Sequence, residues 1–333
     1  MNIYKKFFSN NSSRSGSGRI LLVADRPNWA YDSIAQAIVK YNNDPDLEFD
    51  IEYIKNGKRR LKDIHKDYDL VFMMGWQLLG SYDNKKIKPI NTFLDPDRTL
   101  TGIHSHHSWD GRKTTPGLNT PPSKELVNFL NRFSGVNIIS RRLYELFLSA
   151  GLKNSACTLN GVDVNLFKVR DFSNDCSSIR IGFSGNNKHD WRKGISDFIE
   201  PACDIHGVQL NLAMPKEGLY IPLDQMHTFY HGLDAYVCAS SSEGFSLSVL
   251  EASSCGCPII STRVGGCEDL IVEGVNGFLV DRDVESIREK ILLLRDNPSL
   301  VKKMGRANRN IVEQLWSWEV RVNAWLAFIK CHL

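Results

Sequence analysis

A chain of 333 residues, 42% hydrophobic and 24% charged, describes a globular protein too long for one compact core and suited to two domains of ordinary size. Its 41 Lys and Arg against 38 Asp and Glu leave a net charge of +3, so no global field selects nucleic acid as a partner. No apolar run approaches the roughly 20 residues of a bilayer span and the N-terminus lacks an apolar signal core, which predicts a cytoplasmic protein.

Residues 1–18, where Lys5-Lys6-Phe7-Phe8 precedes a Ser/Asn/Gly-rich stretch, read as a flexible leader. The Lys-Lys-Phe-Phe cluster is the candidate for peripheral contact with an anionic membrane. Arg19–Asp25 is a short apolar run ending in polar residues, the pattern of a buried parallel strand opening into a functional loop, and Ser33–Tyr41 supplies the next helix. The loop between them carries Trp29 and Tyr31, rings able to stack on an acceptor sugar or simply to pack. Leu47–Tyr53 alternates as a strand buried on one face, and the basic run Lys58–Lys66 reads as a solvated helix face with Leu61 and Ile64 three apart, the alternative being contact with anionic lipid headgroups or an acceptor phosphate.

Tyr68–Met74 and Arg98–Ser105 are further buried strands, the second ending in His104-Ser-His-His107. Residues two apart on a strand share a face, but no adjacent cysteine or carboxylate completes a tetrahedral set, so no metal is expected there. Asp95-Pro-Asp97 precedes its strand and contains proline, which reads as a turn rather than a divalent-ion pair. Val136–Ser140 is a strand whose serine caps a helix with Leu143, Leu146, Phe147 and Ala150 on one stripe, stopped by Gly151.

Polar residues 171–178 form a linker, after which strand and helix alternation restarts at Ile179–Phe183. That strand opens into the basic, glycine-bounded loop Ser184–Gly194. Gln209–Met214 and Asp234–Ala239 are strands, with a short helix over Leu223–Tyr230 between them. Asp283 caps a helix carrying Ile287, Ile291 and Leu294 that Asn297-Pro298 ends, and a last helix follows Trp316-Ser-Trp318. All eight cysteines fall at or after Cys157 without a Cys-x-x-Cys pair, which predicts buried thiols in a reducing compartment rather than a zinc site or disulfide framework.

The chain is organised around Tyr236–Val280. An apolar strand meets a polar corner, Ser240-Ser-Ser-Glu-Gly-Phe-Ser246, and then a helix carrying Glu251. The first N–H groups of such a helix lack internal partners and sit at the positive end of its dipole, so the loop at Gly244–Ser246 suits a phosphate. Glu251 then lies roughly 8 Å along the helix, about the reach from a bound phosphate to an attached ribose. Two carboxylates, Glu243 and Glu251, would bracket a nucleotide diphosphate.

That spacing, with Cys255-Gly-Cys-Pro-Ile-Ile-Ser-Thr-Arg-Val-Gly-Gly266, Glu268 and Asn276-Gly-Phe-Leu-Val280, resembles the signature of retaining GT-B glycosyltransferases, in particular glycosyltransferase family 4. The resemblance implies an α/β protein of two doubly wound Rossmann-like domains facing each other across a cleft. An acceptor-side domain would span 19–167 and a nucleotide-sugar domain 168–315. A C-terminal helix, 316–333, would cross back onto the first domain, and Asn160-Gly-Val-Asp-Val-Asn-Leu-Phe167 resembles the family's hinge.

By the same resemblance, Lys193 and Arg192 bind the donor diphosphate together with Gly244, Phe245, Ser246 and Leu247. Glu243 contacts the transferred sugar and Glu251 the ribose. His104 holds the sugar from the other domain, with His106 and His107 as further candidates, so that His104, Glu243 and Lys193 form the catalytic set. Members usually carry glycines after the first strand and an arginine after the first glycine of the phosphate loop. Here residues 26–32 contain no glycine and Asn186 stands in the arginine's place, which leaves Arg192 or Lys188 to supply the second charge.

The implied reaction moves a sugar from a nucleotide-diphosphate donor to a glycan or lipid-linked acceptor, as in surface polysaccharide synthesis. Anomeric configuration is retained by front-face attack, and no metal or other cofactor is required. Two alternatives keep the fold: a nucleotide-sugar-binding partner protein without turnover, and a hydrolase or epimerase acting without an acceptor.

Overall fold

The computed structural model describes residues 18–54, 58–83, 86–105, 119–171, 178–186, 188, 190–216 and 218–333. Two all-parallel sheets organise them. The first uses β1 (Gly18–Ala24), β2 (Leu47–Tyr53), β3 (Leu70–Met73), β6 (Thr99–Ile103), β7 (Gly135–Ile138) and β8 (Ser155–Cys157) in the order β2-β1-β3-β6-β7-β8. A small antiparallel ribbon of β4 (Gly80–Asp83) and β5 (Lys86–Pro89) stands apart from it. The second sheet runs β10-β9-β11-β12-β13, from β9 (Ile179–Ser184), β10 (Val208–Ala213), β11 (Ala235–Cys238), β12 (Ile259–Thr262) and β13 (Gly277–Val280).

Parallel strands need helical crossovers, and these cover both faces. In the first half they are α1 (Ala30–Tyr41), α2 (Lys58–Ile64), α3 (Lys124–Leu130) and α4 (Arg141–Ser149). In the second they are α5 (Asp190–Lys193), α6 (Glu200–Cys203), α7 (Met226–His231), α8 (Leu247–Ser254), α9 (Gly265–Leu270), α10 (Val284–Arg295) and α11 (Pro298–Leu315). Strands covered on both sides must be apolar throughout, and Ile20, Leu21, Leu22, Val23 and Ala24 of β1 are accordingly all buried. The winding direction reverses between β1 and β3 and again between β9 and β11. Crevices at the carboxyl ends of strands flanking such points are where open α/β sheets take ligands.

The last helix, α12 (Trp318–Lys330), leaves the second half and packs on the first. Its Trp325 donates Nε1–H to the Leu159 carbonyl at 3.1 Å, and Lys330 pairs with Asp44 at 2.7 Å. The apolar cluster containing Trp325 is continuous from Ile20 and Phe72 of the first sheet to Tyr236 and Val249 of the second half. The chain therefore crosses between the halves twice, and the crossings lie side by side. Val162 N–H donates to the Trp316 carbonyl at 2.9 Å and Trp318 N–H to the Val162 carbonyl at 3.1 Å. Gly161 faces Trp318 so closely that a Cβ there would strike its backbone.

The flexible-leader expectation for residues 1–17 and the linker expectation for 172–177 lie outside the described residues; within them, local expectations hold with three adjustments. Asp283 caps α10 by accepting from Ser286 N–H, and Asp95 accepts from Asp97 N–H in a turn of 3-10 helix. Helix α1 starts at Ala30 rather than Ser33, because Asp32 folds back to accept from Asn28 N–H and makes an early first turn. Ser140 stands at the N-cap of α4 in extended conformation, yet its hydroxyl makes no capping bond. An additional 18-residue helix, α11, follows Asn297-Pro298; proline at its first position ends one helix and starts the next.

Candidate functional site

Four short segments meet at the carboxyl ends of β9 and β11. The loop after β11, residues 239–246, is pinned from below and behind. Thr262 Oγ1 donates to the Ser240 carbonyl at 2.5 Å, and Gly266 N–H donates to the Gly244 carbonyl at 3.1 Å. The Phe245 ring presses on Gly266, where any Cβ would collide with it, and lies tilted against Trp316 at 5.4 Å. Phe245 is thus a packing residue through its side chain, and only its backbone is left to meet a ligand.

Pinning the loop turns Glu243 toward the end of α5. Its Oε1 accepts from Lys193 Nζ at 2.5 Å and Ser240 Oγ at 2.8 Å, with Arg192 Nη1 at 3.0 Å. Arg192 is buried and donates also to the Ser242 carbonyl at 2.7 Å. Gly194, at φ +70°, breaks α5 directly after Lys193 under the Ala239 carbonyl, a turn only glycine makes without strain. Burial alone would push the Glu243 carboxyl up, but Lys193 and Arg192 outweigh it and hold the group down at about 2. Of the two cations considered for the second charge, Arg192 is the one at Glu243. Lys188 is exposed, and Asn186 uses its Oδ1 to accept from Lys188 N–H at 3.0 Å.

Helix α8 begins beside this cluster. Ser246 is its N-cap, but the Ser246 hydroxyl pairs with Ser248 at 3.2 Å rather than with a helix N–H, so the first turn, at Leu247, has no side-chain cap. An uncapped helix start next to two cations is an electropositive corner. Glu251, farther along α8, accepts the Tyr230 hydroxyl on Oε2 at 2.7 Å, and burial pushes its carboxyl up to about 7.

The first half reaches this corner through the end of β6. The His104 carbonyl abuts Gly244, where a Cβ would not fit. The imidazole, which the sequence reading aimed at a sugar, instead turns inward between Tyr31 (5.0 Å) and Trp325 (6.4 Å). Gly102 makes this possible, since a side chain there would occupy the place of the ring's Nε2. Burial pushes His104 down to about 3, so the ring is neutral.

Tyr31, read as a stacking platform for an acceptor, is likewise committed to packing, its hydroxyl donating to Gln77 Oε1 at 3.2 Å. Trp29 is 47% exposed, with the Arg26 guanidinium 3.0 Å over its ring. His106 and His107 lie outside the described residues.

Two contributors escaped the sequence reading. Arg142 at the start of α4 grips Glu268 of α9 through Nε and Nη2, at 2.6 and 2.5 Å, and Arg141 N–H donates to Asp269 at 3.2 Å. Arginines at a helix N-terminus oppose its dipole, a signal that their partners lie elsewhere. Tyr230, wholly buried, holds Glu251, and nothing in the spacing of the two points to that contact.

Residues 218–311 match the model of the Glycosyl transferases group 1 family. The chain is 34% identical over 97 residues to an uncharacterised glycosyltransferase of Methanocaldococcus jannaschii, which covers 29% of this chain and 27% of that protein. It is 33% identical over 108 residues to the capsular polysaccharide biosynthesis glycosyltransferase CapM of Staphylococcus aureus, covering 31% and 28%. These matches thus span little more than a quarter of either relative.

Among solved structures, Anabaena HepE in complex with UDP and glucose superposes with a TM-score of 0.70 at 16% identity, over 95% of this chain and 100% of HepE. Sucrose-phosphate synthase from Thermosynechococcus elongatus gives 0.68 at 16% identity, over 94% and 98%. At such identities the likeness establishes the fold, which is GT-B.

Proposed function

On the premise that this chain carries a Glycosyl transferases group 1 domain in the GT-B fold, we propose that it is a retaining glycosyltransferase. It takes a nucleotide-diphosphate sugar as donor and a glycan or lipid-linked precursor as acceptor, in surface polysaccharide or glycoconjugate synthesis. The observation that carries the reading is the cluster at the start of α8, where Lys193 and Arg192 converge on Glu243 beside an uncapped helix N-terminus. Support for the donor class comes from HepE, crystallised with UDP and with UDP-glucose, and for the acceptor class from CapM.

Breaking the anomeric bond puts negative charge on the departing diphosphate. Lys193, Arg192 and the first N–H groups of α8 meet that charge in a site already ordered to receive it, a stabilisation that needs no metal ion. When the diphosphate takes over Lys193, Glu243 is released to accept from hydroxyls of the transferred sugar. Glu251 takes the ribose, and the His104 backbone closes the site from the other domain.

The test is incubation with a panel of radiolabelled nucleotide sugars, with and without glycan or lipid extracts. Acceptor-dependent release of the nucleoside diphosphate supports transfer. Release without acceptor assigns a hydrolase or epimerase instead, and tight binding without turnover assigns a binding protein.

A further inference from the structure

Glu251 is connected to the start of the phosphate loop by a run of buried hydroxyls. The Tyr236 hydroxyl donates to the Ser184 carbonyl at 3.1 Å, and Ser184 N–H returns a bond to the Tyr236 oxygen at 2.9 Å. Ser184 Oγ lies 3.1 Å from the Tyr230 oxygen, whose single proton is committed to Glu251 Oε2 at 2.7 Å. Ser184 Oγ also lies 3.0 Å from the Tyr236 oxygen, whose own proton goes to the Ser184 carbonyl, so the single Ser184 hydroxyl proton is shared between the two phenolic oxygens and, on the Tyr230 branch, the bonds run toward the carboxylate. Ser184 is the last residue of β9, directly before Gly185, where the phosphate loop opens. The Tyr230 ring is wholly buried, edge-on to Phe167, Phe229 and Tyr236.

We propose that Tyr230 is the positioning residue for Glu251, and that Ser184 and Tyr230 together lock the ribose-facing carboxylate to the start of the phosphate loop. The proposal rests on the donor-site reading above. A one-way chain of donors favours the ionised carboxylate, the form that accepts from two ribose hydroxyls. Oε2 is held by Tyr230 and Oε1 is left to the ligand. Burial pushes Glu251 up and the Tyr230 bond opposes it. The other groups facing this end of α8 are Tyr236 from β11, behind Ser184, and the Cys255 thiol one turn along α8. Arg309 of α11 and Arg170 lie toward Cys255.

The experiment is calorimetric titration of UDP-glucose, GDP-mannose and ADP-glucose from about pH 6 to about pH 9, a range in which both phosphates of their esterified diphosphates stay ionised and do not titrate. For the nucleotide sugar that binds, affinity of the natural protein rises through a midpoint near 7. Tyr230→Phe moves that midpoint up by about one unit and weakens binding about tenfold on its acid side, with convergence in alkali. Ser184→Ala moves it the same way by less, and carries the test alone if Tyr230→Phe does not fold. Tyr68→Phe, which removes a comparable bond to Asp50 far from the site, leaves the midpoint in place.

If Glu251→Gln weakens binding while Tyr230→Phe and Ser184→Ala leave the midpoint unmoved, the role of Tyr230 is overturned and the donor site stands. If none of the three nucleotide sugars binds, or Glu251→Gln binds like the natural protein, the donor-site reading falls and this proposal with it.

Discussion

Arg142 of α4 and Glu268 of α9, 126 positions apart in the chain, form a two-pronged ion pair that joins the halves of the molecule. Both side chains are largely shielded, at 25% and 21% exposure. A planar fork on a carboxylate is the geometry that lysine cannot copy. Arg142→Lys should weaken the closed arrangement by about 1–2 kcal/mol. Small-angle scattering then shows a larger radius of gyration for the variant, and the difference narrows as salt is added to the natural protein.

Gly244 is required for a reason separate from its neighbours' chemistry. Its Cα faces the His104 carbonyl, and the atom in the way of a new methyl group is backbone rather than a movable side chain. Gly244→Ala is expected to force the halves apart, at about 1–3 kcal/mol, the usual cost of overpacking. Turnover falls at least tenfold while the far-ultraviolet circular dichroism spectrum stays unchanged. Full activity in the alanine variant would show that the contact opens during the reaction.

Glu251 should be a liability to folding above neutrality. Its carboxyl, ordinarily at 4.5, is pushed up to about 7 by burial. The folded state thus holds the proton more tightly than the unfolded chain does. The stabilising effect is fully present below about 4.5 and is lost as pH rises through about 7. Glu251→Gln removes the charge, so the variant melts higher than the natural protein at alkaline pH, by on the order of 3 kcal/mol, and the two converge in mild acid. Thermal denaturation at several pH values reads this directly.

His104 works in the opposite direction. Burial holds its imidazole down at about 3, against an ordinary 6.5, so the unfolded chain takes up a proton that the folded protein refuses. Stability is present above about 6.5 and drains away as pH falls toward about 3. Replacing the ring with the non-titrating His104→Gln flattens this acid limb by on the order of 5 kcal/mol, measured by urea unfolding. On the proposed function, the rate profile near neutrality carries no inflection from this residue.

How much of this was readable in advance depends on the kind of information each residue carries. Strand β1 announced itself because a doubly covered strand must be apolar, and α8 because an apolar strand, a polar corner and helix formers occur in that order. The resemblance assigned Lys193 and Glu243 to one donor site, but not their pairing with each other. Side-chain direction did not follow. Whether His104 points outward or inward is decided by the missing side chain at Gly102, a neighbour whose effect exists only in three dimensions. The Ser140 hydroxyl idles at a position where serine usually caps, and the Tyr230 to Glu251 bond joins segments that local periodicity treats as independent.

The paired crossings at Val162 and Trp316–Trp318 bear on how such a protein moves. A single tether would let one lobe swivel about any axis. Two backbone segments laced together by reciprocal hydrogen bonds, with Gly161 pressed on Trp318, behave like a piano hinge. Opening is then a swing about one line, and each closing stroke returns the His104 carbonyl to the same spot above Gly244 without sideways slip.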